Sequence, residues 1–174
     1  VATSISALLI WWIYDRNAAP GFRQNAALVL NSSLPDVSAK NLDGSDFKLS
    51  GISDRVVLVN FWASWCDPCV REFPSFVKTI DLFQDQITLI AVANDTEKQG
   101  IQNFIKAFDG HRTNIKFVWD PSGRTARRFG TNQYPETYIF DKHHVLAKKV
   151  IGMTDWGSGE MVKLLTDLTR ANSP

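Results

Sequence analysis

The sequence is poor in the residues that build metal centres and disulfide scaffolds. Its 174 residues include only two cysteines, two methionines and three histidines, His111, His143 and His144. Two cysteines cannot staple a disulfide-dense fold or supply a four-cysteine zinc site. Three scattered histidines leave little for a His-rich centre, so neither a metal nor any other cofactor is expected. No charge sign dominates: 19 Lys and Arg stand against 18 Asp and Glu, a net charge of +1. That balance lacks the clustered basic surface that nucleic-acid binding requires. Repeats and low-complexity tracts are missing too. What the chain has is apolar and aromatic: 44% hydrophobic residues, with six Trp and eleven Phe. This is enough to fill the core of a domain of about 150 residues.

The N-terminal stretch Val1–Tyr14 carries no charge. A spanning helix needs about 20 apolar residues. With further apolar sequence before Val1, residues 1–14 would be the second half of a membrane anchor. Trp11, Trp12 and Tyr14 would then lie at the interface, where amphipathic aromatics collect. The apolar region of a cleaved signal peptide and a helix packed on the domain are the alternatives. Residues 15–33, with Pro20-Gly21, suit a tether, and residues 34–174 form the domain.

Within that domain, Val37–Asn41 and Phe47–Leu49 flank Asp43-Gly44, a hairpin signal. Val56–Trp62 and Ile87–Ala93 are continuous apolar runs, as in strands buried on both faces. Helical character runs from Cys66 to Phe83. Asp95 is positioned to cap a helix carrying Ile101, Phe104, Ile105 and Phe108 at i, i+3, i+4, i+7 spacing. Ile115–Trp119 predicts a strand and Arg124–Phe129 a short basic helix. Thr137–Phe140 and Val145–Ile151 predict two antiparallel strands, and Met161, Leu164, Leu165 and Leu168 a last helix. Strands alternating with helices imply a mixed α/β sheet with helices on both faces.

The two cysteines stand three apart, in Trp65-Cys66-Asp67-Pro68-Cys69, after a buried strand and at the start of a helix. In this context CxxC reads as a redox pair. Free N–H groups and the helix dipole at Cys66 stabilise a thiolate. Cys69, one turn on, can resolve a mixed disulfide formed by Cys66. Pro68 fits the first turn, where no N–H is needed. Asp67 adds a negative charge that disfavours the thiolate and points to a reducing couple, or it serves the helix start.

The stretch Val57–Phe73, VLVNFWASWCDPCVREF, resembles the thioredoxin superfamily. More narrowly, the chain resembles the membrane-anchored, extracytoplasmic thiol–disulfide oxidoreductases of the TlpA/ResA/CcmG type. The likeness extends over about Leu34 to Leu168. It rests on Leu34-Pro35-Asp36, Asn60–Cys69, Glu72 with Pro74, and Tyr134-Pro135-Glu136-Thr137-Tyr138. It implies a thioredoxin-like mixed sheet flanked by helices, with an N-terminal hairpin and a central insertion. It implies further that Pro135 is the family's cis-proline facing the disulfide, and that Pro74 kinks the helix. Glu72 would tune or deprotonate the buried thiol, since Asn60 stands where ordinary thioredoxins place an aspartate. Glu136, with Glu72 and Asp67, would form an acidic rim; an exposed strand glutamate is the alternative. Tyr134, after Gln133, departs from the small residues usual before the proline and would narrow the peptide groove. Trp65 is expected at the lip beside Cys66, and Trp62 in the core.

The resemblance also implies partners: protein thiols and disulfides, apocytochrome c among them, and a membrane thiol-relay electron donor. The expected location is the periplasm or the outer face of the cytoplasmic membrane, and the expected activity is mainly reducing, in cytochrome c maturation. A general extracytoplasmic reductase or isomerase is the alternative. A copper-delivery protein on the same fold fits less well, because no histidine partners the pair. The Arg124, Arg127, Arg128 cluster reads as a solvated helix face, and His143-His144 as an exposed turn.

Overall fold

A computed structural model describes residues 28–35, 38–48, 52, 54–108 and 112–171. The expected anchor, residues 1–14, and the first part of the tether lie outside these residues. Among the described residues no helix is long and apolar enough to cross a membrane.

The strands are β1 (Ser38–Asn41), β2 (Asp46–Lys48), β3 (Val56–Trp62), β4 (Ile87–Ala93), β5 (Ile115–Trp119), β6 (Glu136–Phe140) and β7 (Leu146–Ile151). The helices are α1 (Asp67–Phe83), α2 (Lys98–Ala107), α3 (Arg124–Phe129) and α4 (Gly159–Arg170). The strands form one sheet in the order β2-β1-β5-β4-β3-β6-β7. β3, β4 and β5 are parallel, and β6 and β7 join antiparallel on one side. The β1–β2 hairpin adds antiparallel to β5 on the other. This is the thioredoxin-like mixed sheet that the motif implies.

Why the central strands sit there follows from their composition. Every residue of β3 and of β4 is buried. A strand apolar on both faces is stable only between two layers. Side chains alternate across the sheet, and so does their packing. Leu58 and Trp62 pack with Phe73, Phe76 and Ile80 of α1, Ile101 and Phe104 of α2, and Leu165 of α4. Val57, Val59 and Phe61 pack with Phe129 of α3, Tyr138 and Phe140. Burial of these side chains stabilises the domain by roughly 1.5–3 kcal/mol each.

Helix boundaries follow local chemistry with one exception. Cys66 is the N-cap of α1, and Pro68 lies in its first turn. Pro74 lies inside the helix, where its missing N–H leaves the Val70 carbonyl without its usual partner. Ser158 caps α4 by accepting from the Met161 N–H at 3.4 Å. Gly130 ends α3 in the left-handed conformation (φ 75°), which glycine adopts without steric cost. The exception is Asp95. The N-cap of α2 is Glu97, with no side-chain bond, while the Asp95 carboxylate turns away to Ser64.

The stretch Leu28–Leu34 lies against the domain. Leu28 N–H donates to the Phe129 carbonyl, Asn31 N–H to Leu146 and Leu34 N–H to His144, at 3.3, 3.0 and 2.8 Å. The last residues expected in the tether are therefore docked.

Candidate active site

The parallel strand β3 ends at Trp62, and a short turn feeds α1. Cys66 N–H donates to the Ala63 carbonyl at 3.1 Å, closing that turn. Cys66 and Cys69 are joined as a disulfide, with Cα atoms 5.3 Å apart. The Cys69 N–H donates to Cys66 Sγ at 3.4 Å. A first-turn helix N–H therefore points at this sulfur, an arrangement that favours a thiolate there. Cys66 is 6% exposed and Cys69 2%. Both are buried, and of the two it is Cys66 that lines a surface groove.

Cys66 opens into a groove of about 560 Å³. Trp65, Cys66, Asp67 and Pro68 form one wall, and Thr131, Asn132, Gln133 and Tyr134 the other. Trp65 is 67% exposed, at the lip. Its ring meets Tyr134 edge-on, with centroids 6.2 Å apart. Tyr134 thus lines the groove in contact with the lip tryptophan. The Tyr134–Pro135 peptide is cis, and Pro135 is buried.

Glu72 lies one helical turn beyond Cys69 and is buried, 5% exposed. Its Oε2 accepts the Thr154 N–H at 3.0 Å. Burial pushes its pKa up from 4.5 to about 7, although the Thr154 amide, the Trp156 indole and the Asn60 amide favour its charged form. The Trp156 indole N–H makes no hydrogen bond of full strength; its influence on the carboxylate is that of a nearby dipole. A carboxylate titrating near neutrality can both take and return a proton.

Asp67 is exposed and pairs with Arg71 at 3.3 Å. Its charge is therefore partly neutralised beside the dithiol, although pairing at the surface is weak.

Glu136 does not join an acidic rim. It is 2% exposed, pairs with Lys149, and accepts a bond from the Tyr138 hydroxyl at 3.2 Å. The reason is strand parity. Thr137 bonds to Asn60 on the α1 side, at 2.9 Å from its amide, so Glu136 points to the opposite face with Tyr138. Glu72 and Glu136 are separated by the sheet. Glu136 is not an exposed strand glutamate either.

The Arg124, Arg127 and Arg128 side chains lie on an exposed face, and His143 is exposed in its turn. Sequence reasoning assigned Trp156 nothing beyond packing. It stacks on Phe76, centroids 3.8 Å apart at 3°, and shapes the surroundings of Glu72. Thr154 and the Asp95–Ser64 pair also escaped it. The available signal was topological: the loop after β7 returns beside α1, and Asp95 lies two residues past the end of β4.

A family model described as the AhpC/TSA family matches residues 30–149. The thioredoxin-like protein YneN of Bacillus subtilis is 33% identical over 119 residues, covering 68% of this chain and 69% of that protein. The thiol-disulfide oxidoreductase ResA of Geobacillus thermodenitrificans is 26% identical over 132 residues, covering 75% and 74%. A crystal structure from Chlorobium tepidum, described as a thiol:disulfide interchange protein DsbE, superposes with a TM-score of 0.72. It is 22% identical and the match covers 82% of this chain and 99% of that one, which speaks to the fold.

Proposed function

Since the chain belongs to the AhpC/TSA family, as a thioredoxin-like thiol–disulfide oxidoreductase of the TlpA/ResA/CcmG type, we propose that it reduces protein disulfides outside the cytoplasm through Cys66 and Cys69. The observation that carries this reading is the asymmetry of the pair: Cys66 caps a helix and faces an open groove, whereas Cys69 is nearly sealed.

In the reduced protein the Cys66 thiolate attacks one sulfur of a substrate disulfide. A Cys66–substrate bond forms, and the substrate's second sulfur leaves as thiolate. Glu72 accepts the Cys69 proton. The Cys69 thiolate then attacks Cys66 Sγ, closing the intramolecular disulfide and expelling the first substrate sulfur. An electron pair has passed from the dithiol to the substrate, and the proton on Glu72 is released to a leaving thiolate or to water. Trp65, Tyr134 and the backbone around Pro135 hold the substrate strand, while Asp67 and Pro68 shape the near wall.

In an oxidising compartment the resting pair is the disulfide, so a thiol-relay protein in the membrane must return electrons to it. The uncharged residues 1–14 support attachment to that membrane and residues 15–27 a tether, with residues 28–33 docked on the catalytic domain that residues 34–174 form. The substrate class favoured by the resemblance is apocytochrome c, whose haem-binding cysteines must be reduced. A general reductase or isomerase would show a broader set of partners.

The test is covalent capture. The Cys69→Ser protein should accumulate mixed disulfides through Cys66 in native membranes, and the Cys66→Ser protein should not. Mass spectrometry of the captured species should find c-type cytochromes; a diverse secreted set without them would favour the general reductase. Capture of nothing by Cys69→Ser would count against the activity itself. A reduction potential near roughly −270 mV fits a reductant, whereas one near −120 mV marks an oxidant.

A further inference from the structure

The turn that carries Trp65 and Cys66 is held from outside by a buried carboxylate that plays no part in the chemistry above. Asp95 is 4% exposed. Its two oxygens accept the Ser64 N–H at 3.2 and 3.1 Å, and Oδ1 also accepts the Ser64 hydroxyl in a short bond. Asp95 is itself immobilised. Its carbonyl accepts the Trp119 indole N–H at 2.8 Å, and the neighbouring Asn94 N–H donates to the Trp62 carbonyl at 2.9 Å. The first turn of α2 closes over this pair. A Cβ on Gly100 would collide with Ser64 Oγ and come within 3.3 Å of Asp95 Oδ1. The glycine is what lets α2 seat against the clamp.

We propose that Asp95 is a positioning residue for the dithiol, acting through Ser64. Ser64 stands in the turn between Ala63 and Cys66. Without an external acceptor its N–H would be left unpaired at the end of a buried strand. Bound to Asp95, it fixes the peptide planes that follow, and with them Trp65 at the lip and Cys66 Sγ over the Cys69 N–H. Both are angular requirements: thiolate stabilisation falls off within the first helical turn, and strand docking needs the lip in register. The inference deepens the oxidoreductase reading and rests on it for its substrate readout.

The test compares Asp95→Ala, Asp95→Asn, Ser64→Ala and Gly100→Ala with the unmodified chain in two assays. The first is reduction of insulin disulfides with dithiothreitol as electron source. The second is alkylation of the reduced protein by iodoacetamide at pH 7, which needs no groove. Asp95→Ala should lower kcat/KM by about tenfold, mainly through KM, since a misplacement near 1 Å costs up to about a hundredfold; Ser64→Ala, which keeps the backbone N–H on Asp95 and loses only the hydroxyl bond, should fall between Asp95→Ala and the unmodified chain. Alkylation of Cys66 should slow in parallel. Their double variant should be no worse than Asp95→Ala, because the hydroxyl bond that Ser64→Ala removes is already lost with the Asp95 carboxylate. Gly100→Ala should reproduce the defect with the clamp's chemistry intact, as alanine is the better helix former. Asp95→Asn, which keeps an acceptor for the N–H and a partner for the hydroxyl, should stay near the unmodified rate.

Unchanged KM and alkylation in Asp95→Ala overturn the proposal; where Asp95→Ala fails to fold, unchanged KM and alkylation in Gly100→Ala overturn it. Asp95→Asn as damaged as Asp95→Ala also overturns it, by pointing to charge rather than position. An unmodified chain inactive on insulin refutes the oxidoreductase reading instead, and the alkylation rates still decide the clamp.

Discussion

Glu72 on α1 accepts the backbone N–H of Thr154, 82 residues further along the chain, at 3.0 Å. That bond ties the dithiol helix to the loop leaving β7, and it brings Trp156 beside the buried Glu72 carboxylate.

Replacing Glu72 by Gln should abolish a titration in catalysis. The Glu72 pKa is pushed up to about 7, chiefly by burial. The rate of disulfide reduction should therefore rise with pH through about 7 as the carboxylate becomes able to accept the Cys69 proton. The Gln variant should be slower by roughly 10²-fold at its plateau and should lack that step. A pH–rate profile that keeps the step unchanged would make Glu72 structural.

The same group makes stability depend on pH in a defined direction. Its folded pKa of about 7 lies above the ordinary 4.5, so the folded state binds more protons between these values. Stability is then highest below pH 4.5 and falls as pH rises towards 7. The full loss from this group is about 3 kcal/mol at 1.36 kcal/mol per pKa unit. Urea unfolding of the oxidised protein at pH 5 and pH 8 should show that loss, and Glu72→Gln should remove it.

Trp156→Phe should keep the stack on Phe76 while removing the indole dipole that favours ionised Glu72. The catalytic midpoint should then move above 7. Trp156→Ala, which empties a fully buried site, should cost about 3–5 kcal/mol in urea unfolding. A midpoint that stays put in Trp156→Phe would leave this residue a packing role alone.

Lys149→Met should strand the buried Glu136 carboxylate, since Lys149 is its cation. Removing one partner of such a pair costs about 3–5 kcal/mol, and more at the buried end. Adding Glu136→Gln to Lys149→Met should recover most of the loss. Disulfide exchange should change little in the double variant, because this pair faces away from Cys66; a strong kinetic defect in a stable double variant would restore Glu136 to the site.

Trp65→Ala should leave stability within about 0.5 kcal/mol, as expected for an exposed side chain. KM for a protein disulfide should rise several-fold, with the alkylation rate of Cys66 unchanged. Equal KM values would remove the lip from substrate binding.

The sheet and the dithiol were legible because their signals are local. Val56–Trp62 and Ile87–Ala93 announce buried strands by composition, and their observed limits agree with that reading. Cys66, Pro68 and Cys69 announce a capped helix by position. Asp95 was misread because an aspartate just before a helix looks like a cap whatever its side chain meets; here Ser64, brought close by parallel pairing of β3 and β4, competes successfully for the carboxylate. Glu136 was misread for a different reason. A Pro-Glu-Thr string does not say which face of the sheet its glutamate takes, and the register Phe61↔Glu136 sends it to the Phe129 side.

The order of elements, the redox pair and the family can be read from the linear chain, because hydrophobic periodicity, helix capping and CxxC spacing are all written within a few consecutive residues. Tertiary structure alone decided which groups surround that pair. Glu72 with Thr154 and Trp156, Ser64 with Asp95, and Glu136 with Lys149 are partners joined by strand register and chain crossing. Whether a buried carboxylate meets an amide, a hydroxyl or a cation depends on where distant segments come to rest, and that is what sets its charge and its role.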